Sequence, residues 1–289
     1  MNKTLLRKSI AMFILVALVS LSVFAENTSS GNVKFITAGP TLEAKLEAGY
    51  TLKMDMLQGD GALFSGNNLK LKGVVGISPV AATASLSAVL TPIAVIELNV
   101  GASVGTGWNC SLLGMDLVGL YLGTGPVGSV LSTDQLGGMY YEGKVGAAFQ
   151  FDTAAVIPGD WTSIILRTYQ EVNYQGYTNA GDNIAWEYET NGAMVNGFNY
   201  TGEYVLGYQM PLKLNLVALM LDTYSFDLFS GNDHPFFYQL GLAMNYAFTD
   251  SLNLTVIPQI TNMKKDDNKQ INEVALRFKR VALMLNYSF

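Results

Sequence analysis

Residues 41–56 read TLEAKLEAGYTLKMDM, and this stretch separates into two sets when it is read two residues at a time. The even positions are Leu42, Ala44, Leu46, Ala48, Tyr50, Leu52, Met54 and Met56. The odd positions are Thr41, Glu43, Lys45, Glu47, Gly49, Thr51, Lys53 and Asp55. Successive side chains of a β-strand point to opposite faces, so the stretch predicts a strand with one apolar face and one charged face.

A helix is the competing interpretation, because Leu, Glu, Ala and Lys all have good helix propensity. Two steps along a helix turn the chain by about 200°, so apolar residues at every second position would be scattered around its whole circumference. The period therefore favours a strand. The stretch is also longer than a usual soluble strand of about 5 to 6 residues. It is long enough to cross a bilayer, which takes about 9 to 11 residues of a tilted strand.

The start of the chain has the features of a secretory signal peptide. An apolar run over residues 10–24 follows a positively charged segment, and small residues around Ala25 fit a cleavage site. The basic residues are Lys3, Arg7 and Lys8. We therefore predict a signal peptide over residues 1–25 and a single barrel domain over residues 26–289.

The composition separates this chain from ordinary soluble domains. Hydrophobic residues make up 49% of the chain and charged residues 14%, against about 25% charged in soluble domains. After residue 25 no uninterrupted apolar run is long enough for a membrane helix. A membrane β-barrel explains why the apolar residues alternate with polar ones along the chain instead of clustering. The net charge of -6 argues against nucleic acid as a partner, and a single Cys excludes an intramolecular disulfide framework.

The alternation recurs along the chain between turn signals. The segment 69–90 shifts its alternation at Pro79, which fits either a β-bulge or a break between two short strands. Short turns are predicted at Thr91-Pro92, Pro158-Gly159, Met210-Pro211 and Thr249-Asp250. If residues 69–90 form one strand, the sequence predicts ten strands. Eight to twelve strands stay compatible with the sequence, because 107–138 and 176–196 are each long enough for a further hairpin. The predicted fold class is an all-β, antiparallel transmembrane β-barrel.

The last nine residues read VALMLNYSF, and Val281, Leu283, Leu285, Tyr287 and Phe289 alternate up to the terminal Phe. This tail resembles the C-terminal signal that outer-membrane β-barrel proteins of diderm bacteria present to their insertion machinery. The resemblance implies that Tyr287 and Phe289 act as a membrane-insertion signal. Residues 76–109 (GISPVAATASLSAVLTPIAVIELNVGASVGTGWN) also resemble uncharacterised barrel proteins of spirochaetes, and that resemblance implies no function.

Charged residues of both signs are predicted to face the lumen of the barrel. They are Glu43, Lys45, Glu47, Lys53, Asp55, Lys70, Lys72, Glu97, Glu142, Lys144, Asp152, Glu203, Arg277 and Lys279. Two interpretations stay open. Barrels of about eight strands have filled interiors, whereas 16 to 18 strands leave an aqueous channel, so at ten strands the charges are expected to pair into a network that plugs the lumen. A narrow water path between them is the alternative, since rings of charge also select ions in pores.

The segment 107–138 is unusually apolar for an external loop. One hypothesis is that it folds into the barrel mouth as a constriction or as a site for a lipophilic ligand. The residues that would form it are Met115, Leu117, Leu120, Tyr121 and Leu122. The other hypothesis is an extra hairpin that extends the barrel.

The sequence offers little for catalysis. His234 is the only histidine, and its neighbour Asp233 would point to the opposite face of a strand, which is poor geometry for a base and its orienting group. One His and one Cys give no metal site. We expect no catalytic residue, no metal and no cofactor.

The sequence thus predicts an outer-membrane β-barrel that is a small passive pore for ions, small solutes or lipophilic compounds. The alternative is a non-conducting structural or surface-binding protein of the same membrane. The expected partners are outer-membrane lipid, the barrel insertion machinery and a small solute or lipophilic ligand.

Overall fold

The computed structural model describes residues 27–40, 43–112, 114–230, 236–267 and 269–289. The predicted signal peptide over 1–25 lies outside these residues. The regular structure of the described part consists of strands and one 3-10 turn at Thr153–Ala155. The strands are β1 (Thr28–Gly39), β2 (Glu43–Asp55), β3 (Asn68–Ile77), β4 (Ala81–Ile93), β5 (Ile96–Gly107), β6 (Asn109–Leu112), β7 (Met115–Val118), β8 (Leu120–Gly123), β9 (Leu131–Thr133), β10 (Tyr140–Asp152), β11 (Ile164–Tyr177), β12 (Trp186–Tyr188), β13 (Gly197–Gln209), β14 (Leu214–Ser225), β15 (Phe237–Ala247), β16 (Leu252–Lys265) and β17 (Ile271–Ser288).

Twelve of these strands form one closed antiparallel barrel. The order around it is β1-β17-β16-β15-β14-β13-β11-β10-β5-β4-β3-β2. The first and last strands close the ring, with Asn32 opposite Ser288 at one end of the pairing and Gly39 opposite Val281 at the other. Closure leaves no unpaired strand edge, which lipid could not hydrogen-bond. The predicted all-β transmembrane barrel of eight to twelve strands is confirmed.

Two strands account for the difference between ten and twelve. The first is β1, whose Ser and Gly residues at 29–31 weaken the sequence pattern at its start. The second arises because β3 and β4 are separate strands. Between them the Ser78 hydroxyl accepts a hydrogen bond from the Ala81 amide at 3.0 Å, and the Ser78 amide donates to the Ala81 carbonyl at 2.8 Å. The register shift at Pro79 is therefore a tight turn and no bulge.

The outer face of the barrel is apolar. Large side chains there are widely exposed, among them Leu86 at 73%, Val145 at 61% and Tyr50 at 58%. Side chains at the intervening positions point inward, as the period of two in TLEAKLEAGYTLKMDM predicts. A face of this kind suits hydrocarbon and would be costly in water. No helix among the described residues is long and apolar enough to cross a membrane.

The even number of antiparallel strands brings the start of β1 and the end of β17 to the same end of the barrel, here named the terminal end. The predicted turns at 158–159, 210–211 and 249–250 all fall at this end. The turn predicted at Thr91-Pro92 is misplaced, because β4 continues to Ile93 and the chain turns at 94–95. The register shifts between Leu90 and Ile93, where Pro92 has no N–H to donate to the ladder. The opposite end, the mouth, carries the long segments 108–139 and 178–196.

Candidate functional site

The predicted lumen residues lie on barrel strands at positions that alternate with outward apolar residues. On β3, Lys70 and Lys72 are inward, whereas Val75 and Ile77 are outward and 59% and 53% exposed. The members of the set that line one internal cavity are Lys72, Glu97, Lys144 and Glu203. Lys70 and Glu142 lie next to the cavity residues Glu97 and Lys144, whereas Glu43, Lys45 and Glu47 on β2 make ion pairs elsewhere in the barrel.

Three members of the set lie close to the terminal end. Lys53 and Asp55 are on the last residues of β2. Asp152 ends β10, where its carboxylate accepts hydrogen bonds from the Ala154 amide and the Ser163 hydroxyl, both at 2.9 Å. Asp152 therefore stabilises the turn that follows β10 and does not reach the cavity.

The internal cavity has a volume of about 290 Å³ and a predominantly charged lining. Its charged residues come from β3, β5, β10, β11 and β13 and are Lys72, Glu97, Lys144, Arg167, Glu171 and Glu203. Together with β4, which contributes Val89, these strands are six consecutive neighbours in the ring. Their inward side chains line the cavity, so it lies inside the lumen against one half of the wall. A barrel of twelve strands is intermediate between those that side chains fill and those that hold an open channel.

One polar network in the cavity is centred on Glu171. The carboxylate of Glu171 lies 3.2 Å from the Lys144 ammonium and accepts hydrogen bonds from Tyr169 at 2.6 Å and Asn173 at 3.1 Å. The amide of Asn99 donates to the Tyr169 hydroxyl at 2.9 Å. Three donors on one buried carboxylate fix its position.

A second network is centred on Arg167. Its guanidinium lies 3.3 Å from Glu203 and 3.8 Å from Glu97, and it lies over the ring of Tyr169 at 5.4 Å from the centroid. Glu97 is also 3.6 Å from the Lys70 ammonium. Two cations therefore share one carboxylate at this side of the lumen.

A third group of polar residues lies on the other side of the lumen. The Arg280 guanidinium forms an ion pair with Glu43 and donates to the Gln259 side chain at 2.7 Å. Lys279 donates to Gln239, which in turn donates to Asp222 at 3.1 Å. This group ties β17 to β2 on one side and to β15 and β14 on the other.

Arg277 does not join these networks. A register shift places Gln259 opposite Arg280 but Ile260 opposite Phe278, so Lys279 is the extra residue of a bulge. Arg277 is displaced toward the mouth, where it is exposed and donates to the Met263 carbonyl at 2.8 and 3.1 Å. The expected lumen role of Arg277 is thus filled by Arg280, which the unbroken alternation did not select.

The sequence analysis also left out the central residues of two networks. Arg167 and Glu171 share one face of β11 with Tyr169 between them, and that spacing was the signal that could have identified them. The pattern was weak because the outward residues of this strand include Thr168 and Gln170. Asp222 lacked a distinct signal, since its neighbours on both sides are Leu221 and Thr223.

The mouth is covered by the segments 108–139 and 178–196, named here the mouth cover. Strands β12, β8 and β9 form a three-stranded sheet that is separate from the barrel. One face of this sheet packs in a buried cluster with residues of the barrel wall. The cluster comprises Ala81, Leu120, Tyr140, Tyr177, Ala180, Trp186, Tyr188 and Met194, with Leu122 packed against it.

Tyr188 connects the mouth cover to two strands of the barrel wall, β4 and β10, which flank β5. Its ring stacks on Tyr140 with centroids 4.6 Å apart. Its hydroxyl lies 2.8 Å from the Thr83 hydroxyl and donates to the Ala82 carbonyl at 3.1 Å. A side chain at Gly105 would collide with this hydroxyl, so glycine permits the close approach. Burial raises the pKa of Tyr188 to about 12, so the hydroxyl keeps its proton at pH values where an exposed phenol loses it.

Ion pairs attach the mouth cover to the wall at two further places. The Lys265 ammonium at the end of β16 lies 2.6 Å from Glu187, whose side chain is 1% exposed. The Gly192 amide donates to the same oxygen at 3.2 Å. On β2, Lys45 lies 3.6 Å from Glu189. With Tyr188 on β4, polar contacts join the cover to β2, β4 and β16.

The segment 107–138 therefore folds over the mouth and does not extend the barrel. The prediction of an additional barrel hairpin is wrong, because β6 and β7 pair only with each other. Of the residues expected in a constriction, Leu120 and Leu122 are in the buried cluster, and Tyr121 lies under Lys269 at 5.0 Å. Met115 and Leu117 are on the β6–β7 hairpin, where Met115 is 41% exposed.

The C-terminal residues lie on the outer face. Tyr287 is 51% exposed and Phe289 is 71% exposed. The Gly31 amide donates to the Phe289 carbonyl at 2.8 Å, and the Phe289 amide donates to the Gly31 carbonyl at 2.9 Å. The tail therefore completes the barrel ladder while its aromatic rings face outward.

The described residues contain no group of three or more His, Cys, Asp or Glu side chains that could hold a metal ion. Cys110 is a free thiol on β6. His234 and Asp233 lie outside the described residues, so their geometry stays a sequence-based expectation.

The fold and the lumen define a transmembrane β-barrel with a charged internal cavity and a covered mouth. No protein-family model matches the chain, and no curated protein matches it.

Among solved structures, the chain is similar to the KdgM porin at 11% identity, with a TM-score of 0.40 over 90% of this chain and 99% of that one. It is similar to an outer membrane channel from Pseudomonas putida F1 at 10% identity, with a TM-score of 0.46 over 92% of this chain and 97% of that one. The chain is also similar to the translocator domain of the autotransporter NalP from Neisseria meningitidis at 9% identity, with a TM-score of 0.37 over 99% of this chain and 96% of that one.

Proposed function

We propose that the chain is an outer-membrane β-barrel protein that acts as a small passive pore for ions and small polar solutes. In this proposal residues 1–25 are removed as a signal peptide and residues 26–289 form the barrel. The role is passive and needs no catalytic residue, metal or cofactor. The partners are outer-membrane lipid and the machinery that inserts the barrel.

The observation that carries the proposal is the cavity of about 290 Å³ inside the lumen. If the lumen charges served only to plug the barrel, their side chains would be expected to fill this space. The lining is charged and polar, which favours ions and small polar solutes over lipophilic compounds. The mouth cover lies above this space, so passage requires the cover to move.

A second candidate is a non-conducting barrel whose loops have a structural or surface-binding role. The specific observation in its favour is the buried cluster that joins the mouth cover to the wall, with Leu120 and Trp186 both fully buried. A cover packed as tightly as a protein core would keep the lumen closed.

Conductance of the refolded mature protein in planar bilayers separates the two candidates. The informative variant carries Glu187→Gln, Tyr188→Phe and Glu189→Gln, which weakens or removes the polar contacts of the cover with β16, β4 and β2. A matched control replaces residues 110–117 by two glycines. This change shortens the β6–β7 hairpin, whose strands pair only with each other and not with the three-stranded sheet of the mouth cover.

The pore hypothesis predicts discrete conductance steps in the wild type that become more frequent in the triple variant and stay unchanged in the hairpin control. A boiled sample should give none. A correctly folded triple variant that is as silent as the boiled sample would refute the pore and favour the non-conducting role.

A further inference from the structure

Lys72 differs from the other cations that line the lumen cavity. Lys144 is paired with Glu171 at 3.2 Å and Arg167 with Glu203 at 3.3 Å. Lys72 has no carboxylate within 4.0 Å and no hydrogen bond among the residues that the structure describes. Its ammonium therefore faces the cavity without a counter-charge in contact.

Lys72 lies near several other cations. The charged groups that act on its ammonium include Lys34, Lys70 and Arg167 as cations and Glu97 as a carboxylate. Glu97 is already shared, since it lies 3.6 Å from Lys70 and 3.8 Å from Arg167. Arg167 has a nearer partner in Glu203 at 3.3 Å, whereas Lys72 has no carboxylate in contact among the described residues, so its ammonium is suited to a bound anion.

The rest of the cavity limits which anion fits. Glu171 and Glu203 line the same space, and a ligand with two or more negative charges would be repelled by them. The volume of about 290 Å³ holds a single small ion together with water.

We propose that Lys72 binds one small monovalent anion, either chloride or a short-chain carboxylate, within the lumen. The inference deepens the proposed pore, because it takes the cavity to be a permeation site and assigns the class of solute that stops there. An ammonium donates charge-assisted hydrogen bonds to either anion, so the recognition chemistry is the same for both. A single binding site of this kind can hold an ion weakly enough for the ion to leave again.

Binding is best measured without reference to conduction. The refolded barrel in an uncharged detergent is titrated with ¹³C-labelled acetate, and the acetate line width reports bound anion. Chloride line broadening is measured in a separate titration, and chloride is then added as a competitor of acetate. The variants are Lys72→Met and Lys72→Arg, and the matched control is Lys213→Met, which changes an exposed lysine in the β13–β14 turn.

Saturable broadening in the wild type is expected, weakened by about tenfold or more in Lys72→Met as one charge-assisted contact is lost. Lys72→Arg and Lys213→Met should bind like the wild type. Displacement of acetate by chloride supports a site for either anion. Binding of acetate alone supports a carboxylate site, and binding of chloride alone supports an ion site.

Absence of saturable binding in the wild type, or unchanged binding in folded Lys72→Met, would overturn the inference. The outcome is independent of the pore itself. A barrel that conducts without Lys72-dependent binding keeps the proposed function and loses the site. A silent barrel with Lys72-dependent binding keeps the site and loses the pore.

Discussion

The Lys265 ammonium and the Glu187 carboxylate lie 2.6 Å apart, and this pair joins the mouth cover to the end of β16. The two partners differ in burial, since the Glu187 side chain is 1% exposed and that of Lys265 is 33% exposed. The second carboxylate oxygen of Glu187 has no hydrogen-bond partner among the described residues. The burial of Glu187 therefore depends on Lys265.

This asymmetry predicts unequal effects of two substitutions. Lys265→Met leaves a buried carboxylate without its counter-ion and should destabilise the closed cover by about 3–5 kcal/mol. Glu187→Gln leaves only a half-exposed ammonium and keeps the acceptor for the Gly192 amide, so its cost should be about 1 kcal/mol. Hydrogen exchange of the Gly192 amide measures both effects.

Lys264→Met is the control for these variants, because Lys264 is exposed at the neighbouring position of β16. Equal exchange rates in Lys265→Met and Glu187→Gln would contradict the argument from burial.

The hydroxyl of Tyr188 predicts a pH dependence of the mouth cover. Burial raises the pKa of this phenol from 10.0 to about 12. In the detached cover the phenol loses its proton above pH 10, whereas in the closed cover it keeps the proton up to pH 12. Proton binding is then greater in the closed form, so its stability falls as the pH rises between these values.

Cover opening is measured as cleavage of residues 178–196 by a protease that stays active at high pH and cuts after aromatic residues such as Trp186. Cleavage should increase over this pH range in the wild type. Tyr188→Phe keeps the ring on Tyr140 but has no proton to lose. At neutral pH the closed cover of this variant should be less stable than that of the wild type by about 0.5–1.5 kcal/mol, because the hydrogen bonds of the hydroxyl are lost. Its stability should also change less at high pH. A variant and a wild type with the same pH profile would refute the role of this hydroxyl.

The barrel could be predicted from sequence because its signal is local and repeated. Each strand presents lipid on one face and lumen on the other, so a period of two appears in each strand on its own. The mouth cover lacks such a signal. Glu187 and Lys265 are 78 residues apart, and strand β12 has only three residues. Their contact depends on how two loops and a hairpin meet, which no periodicity encodes.

The bulge in β17 is a second limit of sequence reasoning. Arg277, Lys279 and Arg280 are all cationic, so the sequence does not reveal which of them the bulge turns inward. Strict alternation selected Arg277 and Lys279. The register shift at Gln259 selects Lys279 and Arg280 instead.

A double-mutant cycle tests this assignment. Glu43→Gln and Arg280→Met, alone and combined, should give a coupling energy of about 1 kcal/mol, because the pair is partly exposed to water. The free energy of unfolding of the barrel in lipid vesicles is the measured quantity. Arg277→Met replaces Arg280→Met in the control cycle and should show no coupling to Glu43. Coupling of Glu43 to Arg277 in place of Arg280 would show that the bulge is wrongly placed.

Phe289 provides a test of the proposed insertion signal that separates assembly from stability. Its main chain pairs with Gly31 on β1, whereas its ring is 71% exposed on the outer face. Phe289→Ala keeps both backbone hydrogen bonds, so the purified variant should refold in detergent almost as well as the wild type. If the insertion machinery recognises the terminal aromatic ring, the amount of barrel assembled in the outer membrane of cells should fall severalfold.

Phe248→Ala is the matched control for Phe289→Ala, since Phe248 is an exposed aromatic residue next to Tyr246 in the turn after β15. Normal assembly of Phe289→Ala in cells would refute a signal role, and a refolding defect as large as the assembly defect would assign the residue to stability instead.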